Sequence, residues 1–185
     1  MCRLADKIVY LDPAQWRDHR LDFEYTSDFY YDVQLSQDAD GFAVTFVKTP
    51  FPQTVTHIDE GYDKLYLKHW ENAEAYGIIE ENSLIAAIEI CPEEWSNRLR
   101  VTEMWVDRRY HRQGLGTALM NHAKAKAKEQ GRRAVMLETQ SCNANAIAFY
   151  LAQGFRLIGF DACCYGNRDV EQKEVRMEMG YFFGE

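Results

Sequence analysis

No uninterrupted apolar stretch of this 185-residue chain approaches the length of a membrane span. Arg3, Asp6, Lys7, Asp12, Arg17 and Asp18 already interrupt the first thirty residues. A bilayer helix needs about 20 apolar residues and a secretory signal needs an apolar core behind a basic start, so neither is expected. Proline is scarce, at four residues, and no linker, internal repeat or low-complexity tract divides the sequence. A single domain over 1–185 is the expectation, read in three portions at 1–83, 84–160 and 161–185. The five cysteines (Cys2, Cys91, Cys142, Cys163, Cys164) contain no C-x-x-C pair, and the adjacent Cys163 and Cys164 do not readily bridge. That usage points to a reduced, cytoplasmic protein. The five histidines (His19, His57, His69, His111, His122) lack His-x-x-x-His and His-Glu-x-x-His spacing, so no metal is expected.

Positive charge is also in deficit: 21 Lys and Arg stand against 29 Asp and Glu. A net charge of -8 argues against a nucleic-acid partner. The imbalance is uneven. Residues 1–100 hold 9 basic and 19 acidic residues, whereas residues 101–185 hold 12 and 10. The first portion suits a cationic partner and the second tolerates an anionic one. With 46% hydrophobic and 14% aromatic residues the chain can build a core without disulfide or metal staples.

Pattern and punctuation predict strands at Lys7 to Leu11, Tyr30 to Leu35 and Phe42 to Lys48, the last two joined as a hairpin by a turn ending in Asp40-Gly41. Pro50 and Pro52 are expected to break the pattern, with a short helix within Ile58 to Trp70 and a strand at Ala75 to Ile79. Strands follow at Leu84 to Ile90 and Leu99 to Val106. A helix from Gly114 to Gln130 repeats Leu115, Leu119 and Ala123 at four-residue spacing and stops at Gly131. Ala134 to Thr139, Phe155 to Phe160 and Val175 to Tyr181 read as strands, and Asn143 to Gln153 as a helix. This alternation makes an α/β fold with a mixed sheet.

The chemistry concentrates in Val101 to Leu119, VTEMWVDRRYHRQGLGTAL: a strand, a turn bearing Arg108, Arg109 and Arg112, then Gly114-Leu115-Gly116 opening a helix. Glycines allow close backbone approach, and a helix start offers unsatisfied N–H groups to an anion. A P-loop is excluded because Thr117 and Ala118, not Lys-Ser or Lys-Thr, follow Gly116; a dinucleotide fingerprint is excluded because Leu119 stands where its third glycine belongs.

From Leu84 to Phe160 the chain resembles the GNAT superfamily of acyl-coenzyme A dependent N-acetyltransferases. The resemblance is carried by Val106 with Arg112-Gln113-Gly114-Leu115-Gly116, by Leu137-Glu138 with Asn143 and Tyr150 five and twelve residues after the glutamate, and by Phe149-Tyr150 with Gly154-Phe155. The chain departs from that pattern at His111, where the family usually has Arg or Gln, and at Arg112, where Gly is common. Met136 to Gln140, Gly159-Phe160-Asp161 and Tyr165 further resemble the streptothricin N-acetyltransferase branch, as do Asp32-Val33, Trp95 and Arg98-Leu99 upstream. That branch commonly has Trp-Asn-Arg and Glu-Asp where this chain has Trp95-Ser96-Asn97 and Thr102-Glu103.

The resemblance implies a mixed, mainly antiparallel sheet with a central splayed parallel pair, and acetyl-CoA as cosubstrate. It implies that Met104, Trp105, Val106 and Asn143 hold the pantetheine arm and Arg112, Gln113, Gly114, Leu115, Gly116 and Thr117 the pyrophosphate. Tyr150 would protonate the leaving thiolate and touch the cofactor, while Glu138, or Glu103 as its rival, would take the amine proton. The acceptor is expected to be a primary amine on a polycationic small molecule such as streptothricin. A protein N-terminus or lysine, and a non-catalytic acyl-CoA-binding role, stand as alternatives. No covalent intermediate is required; Cys142 lacks a histidine partner positioned by sequence. A homodimer paired through an edge strand such as Val175 to Tyr181 is left open.

Overall fold

The computed structural model describes residues 4–58 and 61–184. They cluster as two compact units, Met1–Glu24 with Ile58–Leu137 and Tyr181–Glu185, and Tyr25–His57 with Glu138–Gly180. Strand β7 leaves the first unit for the second at Glu138, and β9 returns after Gly180.

The first unit holds β1 (Ile8–Leu11), the short α1 (Pro13–Trp16), β4 (Glu74–Glu80), β5 (Ser83–Glu93), β6 (Arg98–Val106), α2 (Leu115–Glu129) and the opening of β7 (Ala134–Gln140). Its strand order is β1-β4-β5-β6, followed by β7. The β1–β4, β4–β5 and β5–β6 pairs are antiparallel, and β6 runs parallel to β7 in register Arg98↔Ala134 to Arg100↔Met136. The parallel pair follows from the α2 crossover between its strands. Leu115, Leu119, Met120, Ala123 and Ala127 form one buried stripe along α2, which packs on β5 and β6. A buried cluster of Leu11, Leu21, Leu65, Tyr66, Ala75 and Ala87 receives Trp16, Phe23 and Trp105.

The second unit carries most of β2 (Glu24–Gln37) and β3 (Phe42–Ile58), the end of β7, α3 (Ala144–Ala152), β8 (Arg156–Asp161), α4 (Asp169–Gln172) and most of β9 (Arg176–Phe182). Here the order is β7-β9-β8, while β2 and β3 form a separate two-stranded ribbon. The ribbon is fastened by Tyr31 N–H donating to the Ser141 carbonyl at 2.8 Å, by a 2.9 Å ion pair from Lys173 to Asp32, and by Phe46 edge-on to Phe160.

Three expectations are corrected. Strand β3 runs through Pro50 and Pro52 instead of breaking there. Prolines two apart lack their N–H groups on the same edge, and a strand paired on one side has an edge that needs none. No helix forms among the described residues of Ile58 to Trp70. That segment is turns and a bridge between Arg20 and Lys64, held by Leu65 exchanging backbone bonds with Asp18 and His19. Strand β9 lies between β7 and β8, so Val175 to Tyr181 is not an edge, and pairing of two copies through it loses its basis. Among the described residues no helix is long and apolar enough to cross a membrane.

Candidate active site

In the first unit, β6 ends at Val106 and a 3-10 turn at Arg108–Tyr110 leads to α2. Asp107 caps this turn, accepting from Arg109 N–H at 2.9 Å while gripping the Arg109 guanidinium at 2.7 Å. Arg109 holds the Asp107 carboxyl below the usual aspartate value. Arg108 pairs with Glu24 at 2.5 Å. Two of the three loop arginines are thus committed to carboxylates, and the third, Arg112, is exposed. His111 bonds through Nε2 to the Val106 carbonyl at 2.9 Å, tying the loop back to the strand end.

Arg112 and Gly114 both take left-handed backbone, at φ 63° and 81°. Gly114 is the N-cap of α2, and a Cβ built on it would meet nothing within 4 Å. Open space beside a left-handed glycine, with the orphan N–H groups of a helix start next to it, suits a phosphate-bearing ligand. A cavity of about 510 Å3 adjoins, lined by Gln113, Gly114, Leu115, Thr117 and Asn121 with Leu4 and Ala5. The left-handed glycine and the helix start suit the pyrophosphate of an acyl-coenzyme A, whose arm the resemblance assigns to the end of β6.

Strand β6 is irregular where that arm is expected. Glu89 faces Glu103, but the next pair is Ile90 with Val101, so β6 carries one extra residue, a bulge at Thr102. Met104, Trp105 and Val106 follow it, and Trp105 fixes the strand from its side by donating Nε1–H to the Asp22 carbonyl at 3.1 Å. Glu103 is 9% exposed.

In the second unit, Glu138 opens the portion of β7 that belongs there, and Arg176 on β9 meets its carboxylate at 2.6 Å. The same guanidinium reaches Glu178 at 3.0 Å. Asn143 is the N-cap of α3, and its Oδ1 accepts from Ala146 N–H at 3.1 Å. The cap occupies the amide oxygen and orients the amide nitrogen as a donor. Tyr150, two turns along α3, is buried to 9% exposure and packs against the rings of Phe149 and Phe155.

A further group surrounds Gln140. The Tyr25 hydroxyl donates to Gln140 Oε1 at 3.0 Å and lies 3.4 Å from the Cys142 sulfur, with His57 stacked on the Tyr25 ring at 4.8 Å. Burial pushes the Cys142 thiol up, which disfavours the thiolate that nucleophilic chemistry requires. Among the described residues no group of three or more His, Cys, Asp or Glu is placed to hold a metal ion.

The structure therefore brings Met104, Trp105, Val106, Arg112, Gln113, Gly114, Leu115, Gly116 and Thr117 onto one strand–turn–helix of the first unit, with Glu103 just ahead of them. It places Glu138, Asn143 and Tyr150 on one β–α segment of the second. Sequence reasoning missed Arg176 and Glu89. Of these only Glu89 left a trace, as the single charge in the apolar run Leu84 to Ile90.

The acetyltransferase (GNAT) family profile matches residues 42–155. Streptothricin acetyltransferase A of Bacillus subtilis is 30% identical over 124 residues, covering 60% of this chain and 71% of that protein. The streptothricin acetyltransferase of Streptomyces lavendulae is 28% identical over 164 residues, 86% of each. Among solved structures, nourseothricin acetyltransferase has a TM-score of 0.77 at 23% identity, over 95% of this chain and 96% of that one. A Bacillus anthracis structure described as a streptothricin acetyltransferase in complex with acetyl coenzyme A has a TM-score of 0.71 at 24% identity, over 95% and 98%. Those structural likenesses establish the fold. With a profile match over more than half its length, beginning at β3 and running through the bulged strand, the glycine turn and α3, this chain belongs to the GNAT acetyltransferase family and is an acyltransferase.

Proposed function

We propose that the protein transfers the acetyl group of acetyl-CoA to a primary amine of a cationic small molecule of the streptothricin type, directly and within a ternary complex. The observation that carries the cosubstrate is the left-handed Gly114 cap at the start of α2, directly behind the bulged strand. The names of the two curated streptothricin acetyltransferases and the acidic N-terminal hundred support the acceptor.

Acetyl-CoA supplies an activated thioester. Backbone N–H groups of α2 and the exposed Arg112 hold its pyrophosphate, and Met104 to Val106 with the Asn143 amide hold its arm. Backbone dipoles near the thioester oxygen stabilise charge as the amine attacks the carbonyl carbon and the C–S bond breaks. Tyr150 gives its phenolic proton to the departing sulfur, and the proton that the nitrogen sheds as the amide forms restores the phenol. The amine proton goes to a carboxylate, because an alkylamine is mostly protonated at neutral pH. Glu138 is bound to Arg176 at 2.6 Å, so the guanidinium already occupies a carboxylate oxygen that would have to receive the proton. Glu103, ahead of the arm-binding segment, takes that role instead, and the Glu138–Arg176 pair orders the acceptor side.

The test is coenzyme A release from acetyl-CoA, with and without streptothricin, alongside mass spectrometry of the antibiotic. Streptothricin-dependent release with one added acetyl group is expected. Tyr150→Phe and Glu103→Gln should each slow kcat by about 10²-fold or more, with Glu138→Gln affecting the acceptor KM more than kcat. Acetylation of N-terminal peptides in place of streptothricin would move the acceptor to protein. Glu138→Gln falling further in kcat than Glu103→Gln would return the base to Glu138.

A further inference from the structure

Glu89 lies in β5 with no exposure at all, in a strand whose other buried positions are apolar. A carboxylate in that environment is costly, and burial pushes the Glu89 carboxyl above the ordinary glutamate value. Two donors reach it from different parts of the first unit. The Thr102 hydroxyl donates to Oε1 at 2.8 Å, and the Tyr66 N–H donates to Oε2 at 2.5 Å.

Each donor belongs to a feature that must be held. Thr102 is the extra residue of the β6 bulge, because Glu89 pairs with Glu103 and Ile90 with Val101. A bulge lacks part of its ladder bonding, so its place along the strand needs another anchor. Tyr66 sits at φ 60° in a turn that nothing helical supports. Its carbonyl accepts from Arg17 Nη1 at 3.1 Å, and its hydroxyl donates to the Leu11 carbonyl while accepting from Ala75 N–H at 3.0 Å. Through Tyr66, the carboxylate that grips the bulge is therefore bonded to β1, β4 and the segment after α1. An apolar residue at 89 could fill the volume, but it could not fix which residue of β6 bulges.

We propose that Glu89 is a positioning residue for the cosubstrate, locking the β6 bulge through the Thr102 hydroxyl and thereby setting the direction in which the Met104–Val106 backbone meets the acetyl-CoA arm. This rests on the assignment of that segment to the arm under Proposed function. A bulge free to move along β6 would change the pairing of the residues it passes and turn their side chains and backbone groups to the other side of the strand.

The experiment uses the full chain and measures acetyl-CoA affinity by calorimetry together with steady-state KM and kcat. Thr102→Val keeps the β-branched shape and removes the donor; Thr102→Ser restores it. Ile78→Ala, in the buried part of β4, supplies a destabilised variant outside the clamp. Thr102→Val is expected to weaken acetyl-CoA binding and raise its KM about tenfold, as for one lost charge-assisted bond, with the acceptor KM unchanged. Thr102→Ser should return to within about twofold of the parent. Ile78→Ala should lose thermal midpoint without moving the acetyl-CoA KM. Wild-type acetyl-CoA affinity in Thr102→Val, or the same loss in Ile78→Ala, overturns the inference and leaves the proposed function standing. Absence of acetyl-CoA binding by the parent chain overturns both.

Discussion

Arg112 occupies backbone that glycine enters without strain and that costs another residue about 1 kcal/mol. The family commonly places glycine there, and the left-handed φ of 63° gives the physical reason. What the arginine contributes in return is an exposed guanidinium beside the helix start, in a loop whose other two arginines are bound to Asp107 and Glu24. Arg112→Gly should therefore gain about 1 kcal/mol in denaturant unfolding while raising the KM for acetyl-CoA. A gain in stability with unchanged KM would remove Arg112 from the cofactor site. The residue types and order of the loop were legible in the sequence because they are local. The partner of Glu138 was not, since Arg176 lies on a different strand 38 residues on and no spacing rule connects the two. Nor was the bulge: it is a mismatch between β5 and β6, visible only once both are in register.

Elements with punctuated ends were readable from the chain. Gly114 and Gly131 bracket α2, and Asn143 and Gly154 bracket α3, because caps and left-handed stops are local chemistry. The β2–β3 ribbon was under-read. Its strands extend to Glu24 and to Ile58, and prolines that signal an interruption elsewhere are harmless on an unpaired edge. The position of β9 was misjudged because strand order depends on nonlocal pairing. Close packing between elements is as decisive as their ends. Gly77 on β4 has no room for a side chain: a Cβ there would come within 2.6 Å of Leu84 Cδ1, 2.9 Å of Leu11 Cδ1 and 3.0 Å of the Ala86 carbonyl. Leucine tips can shift, but the strand β5 carbonyl cannot. Gly77→Ala should cost about 1–3 kcal/mol by overpacking, read as a lower denaturant midpoint at unchanged slope. An unaltered midpoint would mean that β1 and β5 can move away from β4.

At the scale of the whole molecule the two substrates of the proposed reaction have opposite charge, and the protein carries -8. Acetyl-CoA, a polyanion, approaches a chain that repels it overall and attracts it at the turn before α2, where Arg112 and the helix start act over short range. A polycationic acceptor is attracted by the net charge and by the acidic first hundred residues. Salt screens interactions beyond about 8 Å at physiological ionic strength and leaves contact pairs less affected. The two substrates should therefore respond differently to added salt. Between about 20 and 300 mM salt, kcat/KM for streptothricin is expected to fall about tenfold as steering is lost. The KM for acetyl-CoA should stay level or fall as long-range repulsion is screened. A small uncharged amine assayed in parallel should show no such decline. If its kcat/KM fell in step with that of streptothricin, salt would be acting on the enzyme rather than on encounter, and the acidic portion would lose its part in acceptor choice.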